Sequence, residues 1–99
     1  MQTKVDKIAK ELGPLYSVKT IDFERCVYRN LGNGVDFEVS GLGRKHKMDC
    51  ALFIWGPRDG GRYWGIIEQI LHIKSMAELK TVLENAADKY LGMYPVRAR

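Results

Sequence analysis

Few side chains in this sequence have the types and spacing that catalysis requires. Cys50 could act as a nucleophile with His46 as its base, because a thiol needs a nearby proton acceptor. Cys50, however, lies within an apolar run typical of a strand, where a thiol is usually buried and inert. Asp49 and Glu68 could serve acid–base chemistry, but Glu68 is better explained as a carboxylate that pairs with a Lys or Arg or faces water. The residues therefore favour a non-catalytic protein.

Metal and phosphate sites have equally weak signals. His46 and His72 lack a second ligand at a metal-binding spacing such as CxxC or HExxH. The segment GPRDGGR, residues 56–62, has three glycines, but phosphate loops join a strand to a helix N-terminus and this segment joins two strands. We expect no metal and no cofactor. Cys26 and Cys50 are too few for a disulfide scaffold and are expected to be reduced and buried.

Basic residues cluster in two separate predicted loops. Arg44, Lys45 and Lys47 make one of them, and such residues could bind nucleic-acid phosphates with an affinity that falls steeply with salt. Arg58 and Arg62 lie in the other. A sheet built as a meander places these two loops at opposite ends, so they would not form one patch. Nucleic-acid binding through Arg44, Lys45 and Lys47 is therefore the alternative interpretation.

Aromatic residues give the strongest binding signal. Phe53, Trp55, Trp64 and Ile66 would share one face of a hairpin if its turn has an even number of residues. The same parity places Ile70 with them. Aromatic anchors carry much of the energy in protein interfaces, and Arg58 and Arg62 could supply a polar rim. In the alternative interpretation one helix covers each face of the sheet, and these side chains are ordinary core.

The hairpin belongs to a chain whose patterning predicts an α+β fold. Apolar periodicity, with Ser75 and Glu78 as a capping box, predicts two helices, and alternation predicts about four strands. Short links favour an antiparallel meander flanked by the helices. The predicted helices are residues 3–12 and 75–91, and the predicted strands are 21–31, 34–40, 49–56 and 62–73.

Composition fits one ordinary globular domain over residues 1–99, with a loose tail at 93–99. The 99 residues are 45% hydrophobic and 28% charged, with a net charge of +4, which permits an acidic partner without requiring one. No apolar run approaches the ~18 residues of a membrane span. The N-terminus lacks a signal-peptide core. We expect a cytoplasmic protein without a membrane partner.

Three functions follow as hypotheses. The first is a non-catalytic interaction module, a small inhibitor or accessory protein, whose aromatic sheet face binds a protein partner or a second copy in a homodimer. The second is the nucleic-acid binder described above. The third is a small enzyme or ligand-binding protein with a site at a dimer interface. The outline is similar in size and architecture to many small accessory and inhibitor proteins, including some that phages make to block host defences.

Overall fold

The computed structural model describes residues 3–43 and 47–95, which form an α+β structure with one open antiparallel sheet. This confirms the predicted fold class, with one strand more than predicted. The strands follow one another in the sheet in chain order, so the sheet is a meander. The elements are α1 (Lys4–Leu12), β1 (Ser17–Ile21), β2 (Glu24–Asn30), β3 (Asp36–Ser40), β4 (Cys50–Arg58), β5 (Tyr63–Ile73) and α2 (Met76–Met93).

The fifth strand arises because the predicted strand 21–31 is interrupted by a tight turn. Ile21 pairs with Glu24, so Asp22 and Phe23 alone reverse the chain. Both have positive φ, 50° and 66°, as a type I′ hairpin turn requires. Neither is Gly or Asn, and a bulky residue such as Phe rarely adopts this conformation. The sequence therefore gave no turn signal, and the extended segment before Asp22 became a separate strand.

One row of aliphatic side chains crosses all five strands. The strand register pairs its members successively from β1 to β5. The three central members are completely buried. Burying such side chains is the main favourable term in folding. We call this set the aliphatic row: Val18, Val27, Val39, Leu52 and Ile70.

Helix α1 begins with a complete capping box. The Thr3 hydroxyl accepts a hydrogen bond from the Asp6 backbone N–H, and the Asp6 carboxylate accepts one from the Thr3 N–H. This satisfies donors that a helix N-terminus otherwise leaves open. Gly13 follows the helix with φ 106°, a backbone conformation that favours glycine.

Helix α2 is capped at its start by Ser75, whose hydroxyl accepts from the Glu78 N–H. Its other end is held by Asn33, from the loop between β2 and β3. The Asn33 Nδ2 group donates to the carbonyls of Tyr90 at 3.1 Å and Tyr94 at 2.6 Å. The helix continues to Met93, past the predicted end at Leu91. Of the predicted loose tail, residues 96–99 lie outside the described residues.

Both helices pack on the same side of the sheet. Arg25 and Glu68 lie on the face that carries the aliphatic row, because Arg25 is two residues from Val27 and Glu68 pairs with Ile54. Arg25 donates to Asp6 of α1 at 2.7 Å, and the Tyr90 hydroxyl of α2 donates to Glu68 at 2.7 Å. Buried residues of both helices join one core. The opposite side, which we call the outer face, has neither α1 nor α2 over it and includes Tyr28, Asp36, Glu38, Phe53, Trp55, Trp64 and Ile66.

A bulge in β5 changes which side chains reach the outer face. Trp55 pairs with Ile66, but Ile54 pairs with Glu68, so the register shifts by one residue at Ile67. A one-residue shift exchanges the faces of the residues beyond it, up to a second register shift between Cys50 and Leu52 that places Ile73 on the same face as Ile70. Phe53, Trp55, Trp64 and Ile66 therefore share the outer face, whereas Ile70, expected beside them, belongs to the aliphatic row.

Substitution of neighbouring residues in β4 tests this one-sided packing. Leu52→Ala removes a completely buried side chain of the aliphatic row and should lower the free energy of unfolding by about 2–5 kcal/mol. Phe53→Ala removes a larger side chain from the outer face and should cost roughly half as much or less, because Phe53 is only partly buried. Urea unfolding of both variants measures the difference. Equal losses would show that both faces are core.

Candidate functional site

The two tryptophans of the outer face come from β4 and from the edge strand β5. Their rings are stacked, with centroids 5.2 Å apart and an interplanar angle of 21°. Trp64 remains 52% exposed, and Trp55 is partly buried. Each indole N–H has an acceptor: Trp55 donates to Glu38 Oε1 at 3.1 Å, and Trp64 donates to the Gly34 carbonyl at 2.9 Å. These bonds fix two large apolar surfaces in place while leaving one of them in contact with solvent.

An open groove runs beside the tryptophans and has a volume of about 390 Å³. Tyr28 and Asp36 form part of its wall, and the Tyr28 hydroxyl donates to Asp36 Oδ2 at 2.7 Å. Lys19 of β1 lies over the Tyr28 ring, with its Nζ 3.9 Å from the ring centroid. Desolvation, followed by the bond to Asp36, raises the pKa of the Tyr28 hydroxyl. The phenol thus stays a hydrogen-bond donor at neutral pH.

Glu38 is the most perturbed carboxylate in this groove. Its partial burial raises its pKa, the Trp55 N–H opposes that change, and the nearby charges of Glu24 and Asp22 raise the pKa further. Within the described residues, no cation lies within 4 Å of Glu38. The described groove therefore holds two carboxylates, Asp36 and Glu38, and one ammonium group, that of Lys19, on a chain whose net charge is +4.

The arginines that were expected to rim the tryptophans lie elsewhere. Arg58 pairs with Tyr63, one register position from the Pro57–Trp64 pair, so it lies on the opposite face of the hairpin from Trp64. Its guanidinium carbon is 5.8 Å from the centroid of the Tyr63 ring. Arg62 is in the connecting loop, beside Asp59 at 4.0 Å and largely exposed. The structure brings neither into the groove.

The residues of the nucleic-acid interpretation are mostly outside the described part of the chain. Arg44 and Lys45 fall within residues 44–46, and Lys47 is exposed. Nucleic-acid binding through these residues stays a prediction. The aromatic groove itself is a poor fit for phosphates, because Asp36 and Glu38 place negative charge beside the tryptophans.

The thiols are buried, as predicted. Desolvation raises the pKa of Cys26 and that of Cys50 to about 11 in each case. Both are therefore protonated and weakly nucleophilic at neutral pH. In residues 3–43 and 47–95, no group of three or more His, Cys, Asp or Glu side chains could hold a metal ion. Neither helix is long and apolar enough to cross a membrane.

Sequence reasoning identified the tryptophans but missed the polar half of the groove. Asp36 and Glu38 alternate with the apolar residues of β3, and this pattern did indicate that their side of the strand is wet. Only the register, in which Asp36 pairs with Trp55 and Glu38 with Phe53, shows that the wet side of β3 is also the tryptophan side. Tyr28 pairs with Glu38 and is brought to the same place by the β2–β3 hairpin.

No family model, no curated protein and no solved structure matches this chain.

The raised pKa of Glu38 has a measurable consequence for stability. A raised carboxyl pKa means that the fold favours the protonated form, so stability falls as the pH rises from the ordinary carboxyl range through the raised value. Glu38→Gln keeps an oxygen that can accept from Trp55 and removes the charge. The variant should gain stability over the wild type at pH 7 and lose that advantage near about pH 4.

Thermal unfolding at both pH values measures this change. Glu84→Gln, which removes an exposed carboxylate from α2, is the control. It measures how the loss of one negative charge by itself changes the unfolding temperature. A Glu38→Gln advantage that is the same at both pH values would contradict the burial of this carboxylate.

Proposed function

We propose that this protein is a non-catalytic interaction module that binds a protein partner through its outer face. The observation that carries the proposal is the stacked tryptophan pair, held by two indole hydrogen bonds and left partly exposed because both helices pack on the other side. Ordering two large side chains before binding lowers the entropy cost of association. Tryptophan is also enriched among the residues that dominate binding energy.

The composition of the outer face supports a protein interface over a catalytic site. Phe53, Trp55 and Ile66 are partly buried and extend the apolar surface along the sheet, and Asp36 and Glu38 of the middle strand lie directly beside them. Protein interfaces combine apolar and aromatic side chains with several hydrogen-bonding groups in this way. In the described residues the two thiols, the obvious nucleophiles, are buried and protonated.

A matched pair of substitutions tests the proposal. Trp64 and Tyr63 are neighbours with almost equal exposure, 52% and 55%, but they lie on opposite faces of the hairpin. Trp64→Ala should weaken partner binding by on the order of 2 kcal/mol, or about 30-fold. Tyr63→Ala should leave binding within about 0.5 kcal/mol of the wild type. Both variants should keep the wild-type circular dichroism spectrum.

The measurement compares proteins captured by the full chain from an extract of its source cells, quantified by cross-linking and mass spectrometry. The proposal expects at least one protein that wild type and Tyr63→Ala capture and Trp64→Ala loses. Sedimentation of the same three samples shows whether a second copy of the chain is the partner. A folded Trp64→Ala variant with unchanged captured proteins and unchanged mass would overturn the proposal.

A further inference from the structure

The groove beside the tryptophans combines three features. It has a flat aromatic wall in the Trp55–Trp64 stack. It has two carboxylates, Asp36 and Glu38, in its lining. It is open enough, at about 390 Å³, to admit a side chain from another molecule.

Each carboxylate uses one oxygen within the protein and keeps the other available. Asp36 Oδ2 accepts from the Tyr28 hydroxyl, and Glu38 Oε1 accepts from the Trp55 indole. Among the described residues, no donor bonds to Asp36 Oδ1 or Glu38 Oε2. Neither carboxylate forms an ion pair with a described residue.

The local charge favours a cation. Lys19 is the one basic residue that lines the groove, and its ammonium group lies over the Tyr28 ring without pairing with either acid in the described structure. Glu24 and Asp22 are near enough to act on Glu38 electrostatically. The surrounding chain is positive overall. An acidic groove on a basic protein is complementary to a positively charged ligand.

We propose that the groove binds an arginine side chain from a basic segment of the partner protein, stacked on the tryptophans and hydrogen-bonded to Glu38. Guanidinium is planar, stacks on aromatic rings and can donate an N–H to the Glu38 oxygen that the Trp55 indole leaves open. A lysine ammonium would gain the charge attraction but not the planar stacking. This inference deepens the proposed function and rests on it, since it names the chemistry of the partner that the outer face would bind.

A short peptide probe tests the inference without knowledge of the partner. The probe is an acetylated, amidated glycine peptide with two arginines, and its counterparts contain citrulline or lysine at the same two places. Citrulline has nearly the shape of arginine but carries no charge. The chain has two tryptophans, and both adjoin the groove, so intrinsic fluorescence and the indole N–H signals in NMR report binding directly.

The arginine peptide should shift the Trp55 indole signal saturably and bind about tenfold more tightly than the citrulline peptide. The lysine peptide should bind with intermediate affinity. Glu38→Gln should weaken binding of the arginine peptide about tenfold. The matched variant Glu84→Gln removes the same charge from α2 and should leave the affinity unchanged. Unfolding temperatures at the assay pH confirm that the variants are folded: Glu84→Gln should match the wild type within about 5 °C, and Glu38→Gln should unfold at the same or a higher temperature.

Three results would overturn the inference: equal binding of the arginine and citrulline peptides, equal losses in the two glutamate variants, or no arginine binding up to about 10 mM. Failure here is distinct from failure of the proposed function. If Trp64→Ala loses a captured partner while the arginine peptide does not bind, the proposed interaction module stands and arginine binding by the groove is wrong. If the arginine peptide binds but no captured partner depends on Trp64, arginine binding by the groove stands and the proposed interaction module is wrong.

Discussion

The fold depends on burial of the aliphatic row on one side of the sheet. Its members come from all five strands, and the central ones, Val27, Val39 and Leu52, are completely buried. Both helices add their apolar residues to this same side and form one core with it. A chain of this size has apolar surface for one core only. Because the two helices cover one side, the other side of the sheet has no covering layer among the described residues.

The outer face is organised by hydrogen bonds between side chains of neighbouring strands. The Tyr28 hydroxyl bonds to Asp36, and the Trp55 indole bonds to Glu38. These bonds join β2, β3 and β4 across the outer face and orient each ring. The aromatic groups thus have fixed positions without a covering layer. The same bonds occupy only one oxygen of each carboxylate, so the structure that orders the rings also leaves an acidic groove beside them.

The sequence predicted the helices, the antiparallel meander and the face that carries the tryptophans, because these follow from periodicity and from the parity of one hairpin. The β1–β2 turn was not predictable, since Asp22 and Phe23 adopt positive φ without Gly or Asn. The bulge at Ile67 was equally hidden, because it depends on how β5 packs over the core. Residues between the turn and the bulge kept their predicted face, and Ile70, beyond the bulge, did not. The position of Arg58, by contrast, could have been predicted, because strand parity alone places it on the opposite face of the hairpin from Trp64.

The openness of the outer face is most directly tested by hydroxyl-radical footprinting of the wild-type chain, followed by mass spectrometry across a dilution series. Phe37, completely buried between the sheet and the helices, provides the protected reference. At the lowest concentration, where any self-association is minimal, Trp64 should be oxidised rapidly and Phe37 slowly. Protection of Trp64 to the level of Phe37 under those conditions would show that the chain itself covers its outer face, and would contradict an open binding surface.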